Sequence, residues 1–291
     1  MRSESLQRPT TSSPTALRST NMPLGRIAWR LRRRLLGSER VVTSDHVRAL
    51  GRSSALSLRA RARVRVLHCR ELVLGPPRFA RIPVGGALIE LGRDHDFPVD
   101  WKAFVEIFGT TPYPAPYGGA HVLDVGAHKG YFGAFALASG ASVVVSFEPA
   151  ARNYDALVRA ATPLRHRWLT RNAALGSESG TGVLRLDYAS WAHSLIEVER
   201  PAGKQPVSIV TLEHALAELP VGGSRTIVKI DTEGSECDIL ARPEALEPVD
   251  VLLVEWHSAA QCTAEELTQV IESAGLVRVR EASGAMHFER P

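Results

Sequence analysis

The stretch HVLDVGAHKGYFGAFALASGASVVVSFEP, residues 121–149, decides the fold. An apolar run closes on Asp124 and Gly126. A turn of small residues leads into a helical pattern from about residue 130 to 139. A second apolar run then ends at Glu148. Strand, glycine turn, helix and strand make the repeating unit of a parallel sheet, whose ligands sit beyond the carboxyl ends of the strands. Gly126 and Gly130 permit close backbone approach and a tight turn. Glu148 lies 22 positions after Gly126, where an acid accepts hydrogen bonds from both hydroxyls of a ribose.

Two nucleoside ligands compete for such a site. A dinucleotide needs main-chain amides around its pyrophosphate and a G-x-G-x-x-G turn. Here the turn reads G-A-H-K-G with Asp124 just before it. S-adenosylmethionine carries no phosphate but a sulfonium and an ammonium, which suit an acid at position 124. The bland alternative is a tight strand-to-helix turn in an unrelated α/β protein.

Working outward, the same alternation continues. Strands are predicted at HVLDV, SVVVSFE, HRWLTRNAALG (as a third strand), TIVKID and VDVLLVEWH. Helices are predicted over 153–161, over LEHALAEL, from about Ser235, and over TAEELTQVIESAG. A β-rich insertion fills 182–212, and the final LVRVREASGAMHFERP reads as a hairpin. The expected fold is therefore α/β: a mixed, mainly parallel sheet with helices on both faces and a C-terminal antiparallel hairpin. Upstream, ALSLRARARVRV (55–66) alternates small or apolar residues with arginine and reads as a strand. ELVLGPPRFARIPVGGALIELG adds short strands, residues 98–108 a helix, and GTTPYPAPYGG (109–119) a Pro/Gly linker. The expected organisation is a disordered or basic arm at 1–50, an accessory region at 51–119 and the ligand-binding domain at 120–291.

Charge is unevenly spread. Residues 1–70 hold 16 arginines and three acids, whereas the remainder has a net charge of −9. Residues 1–21 read as disordered and 24–36 as a short basic helix, suited to a solvated arm or to an anionic membrane or nucleic acid. The Arg- and Ser-rich start is also close in composition to a transit peptide. No run is long and apolar enough for a membrane span. Cys69, Cys237 and Cys262 are far apart, with no C-x-x-C pair. That spacing argues against disulfides or structural zinc and for a cytoplasmic location.

The block VKIDTEGSECDIL sharpens the reading. It resembles the K-I-D-x-E-G-x-E signature of the FkbM-type S-adenosylmethionine-dependent methyltransferases, as do DVGAHKGYF, SFEP, NAALG, VTLEHAL and LLVEWH, in the family's order. The resemblance covers about residues 120–280. It implies the Rossmann-like class I methyltransferase fold and S-adenosylmethionine as cofactor. Asp124, Gly126 and Gly130 would line its methionine end, with Ala127 and His128 in the turn between. Glu148 would hold the ribose, and Asn172 with Ala173 would border the adenine. Members typically O-methylate hydroxyls of sugars, polyketides or other secondary metabolites. They typically show Asn where this chain has His128, and an apolar residue where it has Lys129.

Methyl transfer to a poorly acidic hydroxyl calls for a base. Candidates end two strands: Asp231 with Glu233, and Glu255 with His257. The i, i+2 spacing puts each pair on one side if the strand continues, and Asp231 and His257 are the first choices. Such donors also suit a divalent cation, although no resident metal is assigned. Structural roles compete: Asp231 as a helix cap, Glu233 and Glu236 against a helix dipole, His257 as a hydrogen-bonded core histidine. Lys229 reads as a salt-bridged or edge residue, and Cys237 as a helical filler. His193 and Trp191 lie in the insertion, where they would meet substrate or simply belong to a loop. The expected partner is a small-molecule or glycan hydroxyl. Nucleic acid is not expected, and the oligomeric state is left open. The rival readings are an RNA-directed methyltransferase using the basic arm, a non-catalytic S-adenosylmethionine-binding protein and, more distantly, a nicotinamide dehydrogenase.

Overall fold

The computed structural model describes residues 44–93, 97–187, 190, 192–196, 202–222, 224–282 and 284–291. The expectations for residues 1–43 and for Trp191 lie outside the described residues. In chain order the elements begin with α1 (Ser44–Arg52), α2 (Leu58–Leu74), β1 (Ala80–Val84), β2 (Ala87–Leu91) and α3 (Phe97–Val105), which runs on as a π-helical turn over Glu106–Thr110. Then come β3 (His121–Val125), α4 (Tyr131–Ala138), β4 (Val143–Phe147), α5 (Ala151–Ala161), β5 (Trp168–Arg171) and β6 (Ala174–Leu175). The insertion supplies β7 (Gly180–Leu186) and β8 (Gly203–Val210). The chain closes with α6 (Leu212–Leu216), β9 (Thr226–Ile230), α7 (Glu236–Ile239), β10 (Val251–Glu255), α8 (Ala264–Ser273), β11 (Val277–Ala282) and β12 (Ala285–Glu289).

Seven strands form the central sheet in the order β11-β12-β10-β9-β3-β4-β5. From β10 to β5 all pairings are parallel, and β12 runs antiparallel to both β10 and β11. This is the mixed α/β sheet expected, with its hairpin at one edge. The order reverses at β3, which has β4 on one side and β9 on the other. A crevice therefore opens beyond the carboxyl ends of β3 and β9. The third strand is shorter than expected. It ends at Arg171, and Ala174–Leu175 joins β7 and β8 in a separate three-stranded sheet.

Strand alternation divides the core between the two faces. Val122, Val144, Ile227 and Leu253 pack with Leu50, Val64, Ile82, Trp101 and Phe135. Leu123, Val145, Val228 and Leu252 pack with Leu212, Leu246, Leu267 and Phe288. Residues from α1 through Tyr117 thus share a core with one face of the sheet.

The segment read as a strand at 55–66 is instead the start of α2. Alternation of small residues with arginine fits either period, but Ala60, Val64, Leu67 and His68 are buried at helical spacing. Arginine is a good helix former. The Ser57 hydroxyl caps the helix by accepting from the Ala60 N–H, and Gly75 ends it with φ of 89°.

Lys129, in the turn after β3, does not line the crevice. Its ammonium reaches back to Asp100 of α3 at 2.7 Å, and both side chains are buried. Asp100 also accepts the Gly92 N–H at 2.7 Å. Burial raises the Asp100 pKa, with Lys129 opposing the rise. Asp100→Ala leaves a buried ammonium without its partner, so denaturant unfolding is expected to show a loss of about 3–5 kcal/mol. Replacing both residues with apolar ones of similar volume should restore most of it.

Candidate active site

The cavity beyond β3 and β9 is lined by the β3–α4 turn (Gly126 to His128), the β4 end (Phe147 to Pro149), Ala173, and the β9 and β10 ends. Tyr113 and Phe132 close it on the side of the N-terminal region. On the cofactor side, Gly126 has φ of 75°, and a Cβ there would lie 1.8 Å from the Asp231 carbonyl oxygen. The ends of the two strands touch at this glycine, where the Asp231 N–H also donates to the Val125 carbonyl at 3.2 Å. His128 has φ of 51°. Asn and His both tolerate the left-handed region, which accounts for a histidine where the family shows Asn. Burial holds the His128 pKa well below the usual imidazole value, followed in effect by the charge of Lys129.

Glu148 sits at the centre of this turn. Oε2 accepts the His128 N–H at 2.8 Å, and Oε1 accepts the Ala150 N–H at 2.9 Å and, at 3.5 Å, the Asn153 side chain. A carboxylate has about four lone-pair sites. One therefore remains on Oε2, and one on Oε1 when the long Asn153 contact is released, enough for a ribose diol. Burial lifts the Glu148 pKa to about 7, against the pull of the Ala150 and His128 N–H donors. The Asn172 amide donates to the Glu148 and Pro149 carbonyls, at 2.9 and 3.0 Å. It fixes the end of β4, while Ala173 is on the cavity wall. Asp124 is fully buried and does not line the cavity. It accepts from Ser146 at 3.0 Å and lies 3.5 Å from the Lys229 ammonium. The acid expected to face the methionine end thus lies beneath the cavity floor.

On the opposite side four carboxylates, one imidazole and one ammonium meet. β9 stops at Ile230, so strand alternation does not bring Asp231 and Glu233 together, contrary to the i, i+2 expectation. They converge because the chain turns, with Glu233 at φ of 56°. His257 Nε2 lies 3.9 Å from Asp231 Oδ1 and 3.7 Å from Glu233 Oε2. One atom from each of the three falls within 4.8 Å of the others, a set that also suits a divalent cation. Glu255, at the end of β10, lines the same wall.

Two residues here, Glu236 and Tyr113, were not legible in the sequence as parts of the site. Glu236, fully buried, holds His257 Nδ1 at 3.0 Å and accepts from the main-chain N–H groups of Thr232 and Gly234. The oxygen facing Nδ1 is the one that accepts these N–H groups, so Nδ1 is placed to donate to it and Nε2 faces Asp231 and Glu233. Burial alone would depress the His257 pKa. The Glu236 hydrogen bond and the charges of Asp231 and Glu233 outweigh it, raising the value to about 9. Tyr113, from the segment read as a linker, bridges Glu255 Oε2 at 2.7 Å and Asp231 Oδ2 at 3.1 Å. A phenol has one hydrogen. It is therefore shared between the two carboxylates, and burial, with Asp231 beside it, raises the Glu255 pKa. Lys229 stands under Asp231 at 3.4 Å and donates to the Gly126 carbonyl at 2.8 Å. It is salt-bridged as expected, but on a central strand. Asp231 takes no part in capping α7. His193 accepts the Asp187 N–H at 2.9 Å and lines the cavity.

Cys237 and Cys262 form a disulfide, with Cα atoms 6.0 Å apart, so Cys237 is not simply a helical filler. The partners are 25 residues apart and meet because they follow adjacent parallel strands. A disulfide is the mark of an oxidising compartment, so the cysteines no longer point to a reducing cytoplasm. The bond ties α7, which carries Glu236, to the loop after His257. Reduction is expected to lower the unfolding free energy by about 3 kcal/mol in a denaturant titration.

Residues 124–276 match the family model of the methyltransferase FkbM domain. The chain belongs to this family. It is an S-adenosylmethionine-dependent methyltransferase. The structure of the FkbM methyltransferase from Methylobacillus flagellatus is 16% identical with a TM-score of 0.39, the match covering 68% of this chain and 56% of that one. That of M. capricolum TrmK in complex with S-adenosylhomocysteine is 7% identical with a TM-score of 0.35, covering 60% of this chain and 63% of that one. The fibrillarin pre-rRNA processing protein of Methanococcus jannaschii is 12% identical with a TM-score of 0.36, covering 60% and 67%. No curated protein sequence matches the chain. Among the described residues of this FkbM-family methyltransferase, no helix is long and apolar enough to cross a membrane.

Proposed function

We propose that the chain O-methylates a hydroxyl of a sugar, glycan or related secondary metabolite. The observation that carries this reading is that Asp231, on the wall of the same cavity as Glu148, stands 3.9 Å from His257 Nε2, whose Nδ1 is held by Glu236 behind it. S-adenosylmethionine, when bound, supplies an electrophilic methyl on a sulfonium, already a good leaving group. Glu148 holds the ribose, Gly126 lets the chain approach closely, and the carboxylates of the opposite wall favour a nearby cation. Asp231 would accept a hydrogen bond from the acceptor hydroxyl and so orient its oxygen for attack on that methyl. Asp231 would take up the hydroxyl proton as the methyl passes from the sulfonium to the oxygen, the C–S bond breaking to leave S-adenosylhomocysteine; neutral His257 Nε2, 3.9 Å away, would then receive the proton, and Glu236 at Nδ1 would stabilise the imidazolium. Tyr113 and Lys229 hold the second oxygen of Asp231 in place. The N-terminal region, through Tyr113, closes the acceptor side. Mass-spectrometric screening of aliphatic and sugar alcohols with S-adenosylmethionine tests the proposal. Methyl ether and S-adenosylhomocysteine formed in equal amounts are expected. Methylation confined to RNA or to nitrogen acceptors would overturn it.

A further inference from the structure

Helix α2 presents a second apolar face, unrelated to the core. Leu58, Ala62, Val66, Cys69 and Val73 recur at helical spacing and are all exposed. Relative exposure is 81% for Leu58, 63% for Val66 and 57% for Val73. At about 100° per residue these five fall within an arc of about 80°. The opposite face, with Ala60, Val64 and Leu67, is buried. Arg59, Arg63 and Arg70 flank the exposed stripe on one side and Arg65 on the other, all exposed.

We propose that this face docks on an anionic lipid surface. The chemistry of the stripe selects the occupant. A second copy would set one arginine row against another. Residues 1–43 carry nine arginines and two acids, so the same rows repel them. A nucleic acid would satisfy the arginines but leave the leucine and valines in water. An anionic bilayer satisfies both: its phosphates meet the guanidinium groups, and its acyl boundary takes the apolar stripe. The helix lies flat in that interface and does not cross it. The basic residues preceding it add long-range attraction that salt screens.

Co-flotation of the full chain with vesicles tests this directly. With phosphatidylglycerol in phosphatidylcholine vesicles, binding at low salt is expected to be at least about tenfold stronger than with phosphatidylcholine alone, and to fall at high salt. The V66D/V73D double variant changes only exposed side chains. It should lose this binding while keeping its melting temperature and S-adenosylhomocysteine affinity. R63E, a single change on the same face, should weaken binding without touching the apolar stripe. Failure of the native chain to float would overturn the proposal. So would a double variant that floats as well as the native chain, since the basic arm alone would then suffice. Two further outcomes also contradict it: salt-sensitive RNA binding without flotation, and a dimer that the double variant dissociates without flotation.

Discussion

Asp231→Asn is expected to lower turnover by about 10²- to 10⁴-fold, the usual contribution of a positioned base. Affinity for S-adenosylhomocysteine should change little. The asparagine keeps the size of the side chain but cannot take up the hydroxyl proton. S-adenosylhomocysteine lacks the sulfonium charge, so losing one carboxylate from the far wall costs it little. The Tyr113 hydroxyl and Lys229 lie 3.1 and 3.4 Å from Asp231 Oδ2 and retain an oxygen to face in the variant. Single-turnover kinetics alongside calorimetry separate the two effects. A fall in cofactor affinity that accounts for the whole loss would mark Asp231 as a binding group instead.

The second large effect is on pH dependence. His257 must be neutral to receive the proton, and its pKa is raised to about 9. Turnover in the native chain should therefore climb with pH through about 9. Glu236→Gln removes the hydrogen-bonded carboxylate and lets His257 fall back toward its ordinary value of about 6.5. The rising limb should move to lower pH while its plateau drops, because the amide stabilises an imidazolium less well. A purely structural Glu236 would lower the plateau without moving the limb. Stability follows the same linkage. A histidine whose folded pKa is raised contributes stability that is fully present below about 6.5 and is lost as pH rises through about 9.

The sheet and the glycine turn after β3 were legible because their signals are local. Residues 121–149 contain a strand, its glycine turn, a helix and the next strand in unbroken order, and the hairpin at the C-terminus is likewise contiguous. Glu148 could be placed from its distance to Gly126. What escaped depends on tertiary meeting points. Nothing near Lys129 announces Asp100 in another helix, and Cys237 and Cys262 share no motif. Glu236 looked like an ordinary acid in the first turn of a helix, yet its carboxylate organises the whole β9 turn. Tyr113 lay in a segment whose prolines and glycines suggested a linker. Two tyrosines beside those prolines, Tyr113 between Pro112 and Pro114 and Tyr117 after Pro116, were the one available hint. In α2, arginine alternating with small residues imitated a strand, whereas burial every three or four residues and the Ser57 cap identify the helix.

Calorimetric titration of S-adenosylhomocysteine into the native chain and Glu148→Ala, above pH 7 where Glu148 is ionised, tests the central claim most directly. The account predicts micromolar binding to the native chain, weakening as pH falls through about 7. In the variant it should be about tenfold weaker or more, the expected cost of losing charge-assisted hydrogen bonds to a diol. Equal binding by a folded Glu148→Ala variant, or none by the folded native chain, would contradict it.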